Sequence, residues 1–150
     1  MRVQDFGQFF ERTTGYPSYP YQNALGTTKG FPALLAVPTG AGKTAAVVVA
    51  WLWKRLHEQA STPRRLVYCL PTRVLVEQTV DCARRWVVKA GMDIPVSVLM
   101  GGTVDDPINH RWDVHPEDPA IIIGTQDQLI PRALNRGYAC LLYTSPSPRD

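Results

Sequence analysis

The chain has 150 residues, 45% of them hydrophobic and 19% charged, with a formal net charge of +3. This is globular composition, enough for one domain with a moderate core, and it sets aside a disordered or fibrous chain. The mild positive balance is compatible with a nucleic-acid partner but does not by itself demand one.

Residues 1–30 are aromatic and rich in turn formers (Tyr16-Pro17-Ser18-Tyr19-Pro20-Tyr21), which predicts a lead-in wrapped over the surface. Ala33-Leu34-Leu35-Ala36-Val37 is short, apolar and unalternating, as in a strand buried on both faces of a parallel sheet. A helix is expected from about Lys43 to Gln59. Leu66 to Leu70 repeats the buried-strand pattern, and Arg73 to Lys89 places Val76, Val80, Ala83 and Val87 at helical spacing. Val96 to Met100 is the next expected strand, ending in Gly101-Gly102. After a polar loop at 103–119, Ala120 to Ile123 forms another, followed by a helix from Gln126 to Asn135. Strand and helix alternate throughout, so the expected fold class is α/β: a parallel sheet with helices on both faces and ligands at the carboxyl ends of its strands.

No signal-peptide pattern opens the chain. The apolar stretch 31–53 carries Lys43 and a P-T-G-A-G break, so it reads as strand, loop and buried helix and not as a membrane span. Cys69, Cys82 and Cys140 make neither a C-x-x-C pair nor an even framework, which suits a reducing cytoplasm.

Pro38-Thr39-Gly40-Ala41-Gly42-Lys43-Thr44 stands between the first expected strand and its helix, the context a phosphate loop requires. Glycines let backbone N–H groups turn inward to cradle phosphate, and the helix N-terminus adds partial positive charge. Lys43 would reach the terminal phosphates of ATP, and the Thr44 hydroxyl would ligate Mg2+. Val37 stands where the first glycine of the longer G-x-x-x-x-G-K-[ST] form would be. The alternative is a glycine turn before a helix with an incidental Lys-Thr.

P-T-G-A-G-K-T at 38–44, P-T-R-V-L-V-E-Q-T at 71–79, G-G at 101–102 and G-T-Q-D-Q-L-I-P-R-A-L-N-R-G-Y at 124–138 resemble, in order and spacing, the motifs of the first RecA-like domain of superfamily-2 helicases. The wording of the second and last segments is similar to the helicase of type I CRISPR systems, in the subtype formerly called U. The resemblance spans residues 9–139 and implies a RecA-like fold, ATP and magnesium as cofactors, and single-stranded nucleic acid, DNA in the CRISPR branch, as partner with the CRISPR effector complex. It implies that Pro71, Thr72, Arg73, Gly101, Gly102, Thr125 and Gln126 follow a nucleic-acid backbone, a contact that grips without reading sequence. For Arg73 the alternative is a surface arginine at a sheet edge; for Arg132 and Arg136 a solvated helix face is the better reading. Gln22, after Tyr19-Pro20-Tyr21, sits where a helicase Q motif would, able to pair with adenine while a tyrosine stacks on it. Its alternative is a polar residue opening a short helix.

Hydrolysis in such helicases needs a D-E-x-H/D box, and the chain contains none. Asp105-Asp106 and Glu117-Asp118 fall at the wrong point in the order to replace it. His110 and His115 have no partner cluster for a metal, and the lack of any H-D dipeptide leaves out the nuclease module of the CRISPR helicases. No catalytic residue is therefore expected in residues 1–150. Residues 140–150 drop the pattern abruptly, and their string is also the in-frame translation of a transposase adapter used for shotgun sequencing libraries; they read as a foreign tail excluded from fold reasoning, with a genuine Ser/Pro tail as alternative. The expected organisation is a lead-in at 1–30, a partial ATP-binding domain at 31–139 and that tail. A generic DEAD/DEAH-type RNA or DNA helicase is the second reading, and a phosphate-loop kinase or switch protein without nucleic acid is the rival from another class.

Overall fold

The computed structural model describes residues 5–38, 40–99, 117–129 and 142–143. They fall into two compact units, Met1–Thr62 with Arg85–Asp93, and Pro63–Arg84 with Ile94–Asp150.

In the first unit the lead-in is helical. Helix α1 (Phe6–Thr14) begins on a reciprocal cap, Asp5 accepting from the Gln8 N–H at 2.8 Å and the Gln8 side chain accepting from the Asp5 N–H at 3.4 Å, and it ends at Gly15. Helix α2 (Pro20–Thr27) starts with proline at its first position. In place of a segment wrapped over the surface, Phe6, Phe9 and Phe10 are buried, and the rings of Phe6 and Phe9 lie 5.8 and 5.2 Å from that of Trp53. Burial of these rings offsets the entropy of ordering a segment rich in turn formers.

Helix α3 (Lys43–His57) follows the phosphate loop and is buried continuously from Ala46 to Leu52, as a helix without a polar face should be. Lys54 on α3 is only 1% exposed. Its ammonium donates to the Thr28 carbonyl, lies 5.4 Å from the centre of the Phe31 ring and 3.9 Å from the Glu58 carboxylate, so α3 fastens the chain that enters the phosphate loop.

The strand expected at 33–37 does not form. The residues are unpaired backbone, and Leu34 is 78% exposed. A strand exists only with a ladder partner, and Pro32 and Pro38, which bracket the run, supply no N–H to one. An apolar run alone does not specify that partner.

After Thr62, β1 (Arg65–Leu70), helix α4 (Arg73–Lys89), β2 (Val96–Leu99) and β3 (Ala120–Thr125) follow the expected order, with β3 running two residues further, through Gly124 and Thr125; the strands and α4 as far as Arg84 belong to the second unit, and Arg85–Lys89 to the first. The sheet is parallel, in the order β2-β3-β1-β4, with β3 inserted between β2 and β1. Its last member, β4 (Leu142–Tyr143), belongs to the tail read as foreign and pairs with Leu66 and Val67. Val67, Cys69, Leu99, Ala120, Ile122 and Leu129 form one buried cluster. Residues 126–129 are helical; the remainder of the helix expected to Asn135, with Arg132 and Arg136, lies outside the described residues, as do Asp105, Asp106, His110, His115 and Cys140. Among the described residues no helix is long and apolar enough to cross a membrane.

Candidate nucleotide site and strand-end face

The phosphate loop belongs wholly to the first unit. Gly40 and Gly42 have φ of 84° and 76°, the left-handed region that glycine enters without steric cost, so the loop can curl on itself before the helix starts. The Ala41 N–H closes the turn onto the Pro38 carbonyl at 3.2 Å, and Gly42 is the N-cap of α3, its carbonyl accepting from the Ala46 N–H at 2.9 Å. Lys43 is exposed and Thr44 half-buried in the first turn of α3. A curled glycine loop, an exposed ammonium and a hydroxyl at one helix N-terminus fit a magnesium–nucleotide phosphate chain. Thr39 lies outside the described residues.

Gln22 is 2% exposed and reaches this loop: its Nε2 donates to the Gly42 carbonyl at 3.0 Å, while its Oε1 accepts from the Tyr19 N–H at 2.7 Å. One donor and one acceptor of the amide are thus engaged by protein. The fit is tight, since a Cβ on Gly42 would stand 2.7 Å from Gln22 Nε2. The Tyr21 hydroxyl donates to the Ala41 carbonyl, a contact hidden from sequence reasoning that treats the tyrosines as stacking rings. Burial, the largest influence, raises the Tyr21 phenol above its ordinary pKa of 10.0 against an opposing hydrogen bond with Gln22, so it stays protonated and able to donate at neutral pH. Tyr21 and Tyr19 themselves stack, with ring centres 6.4 Å apart and 13° between planes.

The second unit brings two of the remaining segments together. β1 and β3 are parallel neighbours with Leu70 opposite Thr125, so Pro71-Thr72-Arg73 and Thr125-Gln126 leave the same edge of the sheet side by side. Pro71, Thr72 and Arg73 are exposed, Thr125 is buried and Gln126 is partly exposed. The Thr72 hydroxyl accepts from the Leu75 N–H at 3.3 Å, capping the start of α4. Gly101 and Gly102 lie outside the described residues. Beside this face the exposed Asp127 carboxyl lies below the usual carboxylate range, with the neighbouring Thr125 side chain as the largest influence, although the geometry gives the Thr125 hydroxyl no hydrogen-bond partner. Among the described residues no group of His, Cys, Asp and Glu is arranged to hold a metal ion.

A glycine loop opening a helix in the first unit, and in the second a parallel sheet whose strand ends carry exposed polar turns, are features of nucleotide-binding α/β proteins. The profile of the DEAD/DEAH box helicase family matches residues 20–141, and the chain belongs to that family. It is 31% identical over 140 residues to the ATP-dependent RNA helicase SrmB of Escherichia coli, covering 92% of this chain and 29% of that protein. To the DEAD-box ATP-dependent RNA helicase 29 of Oryza sativa subsp. indica it is 30% identical over 109 residues, 68% of this chain and 12% of that one. To the ATP-dependent RNA helicase DBP10 of Yarrowia lipolytica it is 33% identical over 92 residues, 61% of this chain and 9% of that one. The chain therefore spans less than a third of the length of these relatives. The crystal structure of the yeast DEAD-box splicing factor Prp28 superposes with a TM-score of 0.63 at 22% identity, over 91% of this chain and 34% of that one, a likeness of fold. The parallel α/β fold expected from the strand and helix order is the fold observed, and its likeness to the helicase structure agrees with the RecA-like fold that the resemblance implied.

Proposed function

We propose that this chain is the nucleotide-binding front of a DEAD-box-type ATP-dependent helicase that acts on single-stranded RNA. The observation that carries the reading is the Gly40-to-Thr44 loop, curled through two left-handed glycines into α3, inside a family match that extends across the strand-end face. Lys43 and the loop N–H groups would hold the phosphates of ATP, and Thr44 would ligate magnesium, which when bound neutralises phosphate charge. Gln22 would recognise adenine by rearranging the bonds of its amide.

Pro71, Thr72, Arg73, Thr125 and Gln126, with Gly101 and Gly102, would follow a nucleic-acid backbone. RNA takes first place over DNA because the relatives named above are RNA helicases by name. The CRISPR DNA helicase, first choice on the wording of the 71–79 and 124–138 segments, becomes the second reading, since none of those relatives carries it. Membership of the helicase family removes the support for a kinase or switch protein. A cytoplasmic setting suits the cysteine pattern.

The test is a titration of the chain and of its Arg73→Ala variant with single-stranded RNA and DNA of matched length at several salt concentrations. Tighter binding of RNA is expected, together with a loss in Arg73→Ala that is similar for all sequences and lowers the salt slope by about one phosphate contact. Preference for DNA would move the reading to the CRISPR branch, and a sequence-dependent loss would remove Arg73 from the backbone path.

A further inference from the structure

Resting on the nucleotide-binding reading, we propose that Tyr21 is a positioning residue for the phosphate loop: its hydroxyl, by holding the Ala41 carbonyl, sets the direction in which the Gly42 N–H is presented to phosphate.

In a trans peptide the C=O and the N–H point in opposite directions, so a donor that fixes the carbonyl also aims the N–H of the next residue. Three consecutive peptides of the loop, from Gly40 to Lys43, are anchored differently. The Gly40–Ala41 unit is held by the turn that its N–H closes on Pro38. The Gly42–Lys43 unit is held twice, by the Ala46 N–H of α3 and by Gln22 Nε2. Among the described residues the Ala41–Gly42 unit between them has one anchor, the Tyr21 hydroxyl.

That middle unit is also the easiest to turn, because Gly42 has no Cβ and sits at φ 76°, where other rotations are open to it. Without the hydroxyl the carbonyl can swing toward the phosphate position, presenting negative dipole to an anion and turning the Gly42 N–H away from it. With the hydroxyl in place, Ala41 and Gly42 present their carbonyls to adjacent residues of α2, and the N–H groups of Gly42 and Lys43 face the other way. The tyrosine thereby acts on phosphate and not on the base, although its place in the Y-P-Y-Q string points to stacking on adenine.

Tyr21→Phe removes one oxygen and keeps the ring. Equilibrium titrations of the 150-residue chain and the variant with magnesium complexes of ATP, GTP and inorganic triphosphate separate the possibilities. The expected result is a loss of affinity of about two- to tenfold, the worth of one hydrogen bond, by the same factor for all three ligands. The variant should stay fully folded at the titration temperature, its melting temperature lowered only by the loss of one hydrogen bond, and the Gly42 amide resonance of the nucleotide-free chain should shift. A loss confined to ATP would show that the ring reads adenine, and no loss, or one explained by unfolding of the variant at that temperature, would equally overturn the proposal. If the unsubstituted chain binds none of the three, or binds them independently of Lys43, the nucleotide reading itself fails. Lys43-dependent binding that Tyr21→Phe leaves intact defeats the positioning role alone.

Discussion

At the scale of single residues the nucleotide reading rests on Gly40 to Thr44, where two left-handed glycines lead into α3. Lys43 is exposed at the start of α3, and on the proposed reading it is the cation that would meet the β- and γ-phosphates. Lys43→Ala should therefore abolish magnesium–ATP binding in equilibrium titration while leaving the thermal transition in place, because an exposed side chain contributes little to the fold. Retained affinity would remove the loop from nucleotide binding. Gly40 to Thr44 are legible from the motif letters alone, since their chemistry follows from residue type and order. Gln22 is legible as the residue of a Q-motif-like segment, but its contacts are not. That its amide bonds Gly42, and that Tyr21 bonds Ala41, depends on how α2 docks on the loop across about 20 residues of chain, which no local pattern encodes.

At the scale of elements, α3, β1, α4 and β3 are readable because each combines one clear periodicity with a length suited to it. Helix α1 escapes the composition-based expectation although its signals are present: Asp5 and Gln8 at capping-box spacing, then phenylalanines at 6, 9 and 10 on one helical face. The prolines and tyrosines at 16–21 mask them, since turn chemistry that begins only after Gly15 colours the whole segment. The run 33–37 fails in the opposite way, offering apolar residues but no partner edge. Gly124 shows what a strand needs beyond hydropathy. It stands opposite Leu99 in the β2–β3 ladder, and a Cβ there would run into the Leu99 carbonyl. Gly124→Ala should push β2 from β3 and destabilise the second unit by about 1–3 kcal/mol, the usual cost of overpacking. The check is the denaturant midpoint of unfolding, followed through the amide resonances of Val96 to Leu99. An unchanged midpoint would mean that the ladder gives way freely at this position.

At the scale of the whole molecule, binding and turnover should separate. On the proposed reading the loop would hold a nucleotide, but residues 1–150 contain no D-E-x-H/D box to supply an acid for magnesium and another to orient water. The chain also spans 29% of the SrmB relative, so whatever the rest of such a protein contributes to the reaction is not supplied by these residues. An arginine finger from a second domain is worth about 10³–10⁵ in rate in phosphate-loop enzymes, which places the expected activity of this chain at background. Purified residues 1–150 should bind ATP at best and show no nucleic-acid-stimulated phosphate release above a Lys43→Ala control. Joining to it the remaining length that its relatives carry should raise the rate in a Lys43-dependent way. Stimulated release by the chain alone, abolished by Lys43→Ala, would show that the water-orienting acid lies within it. The carboxylates to substitute next would then be Asp105, Asp106 and Asp127; Asp127 follows β3 at a strand end, where a parallel sheet binds its ligands, and Asp105 and Asp106 lie outside the described residues.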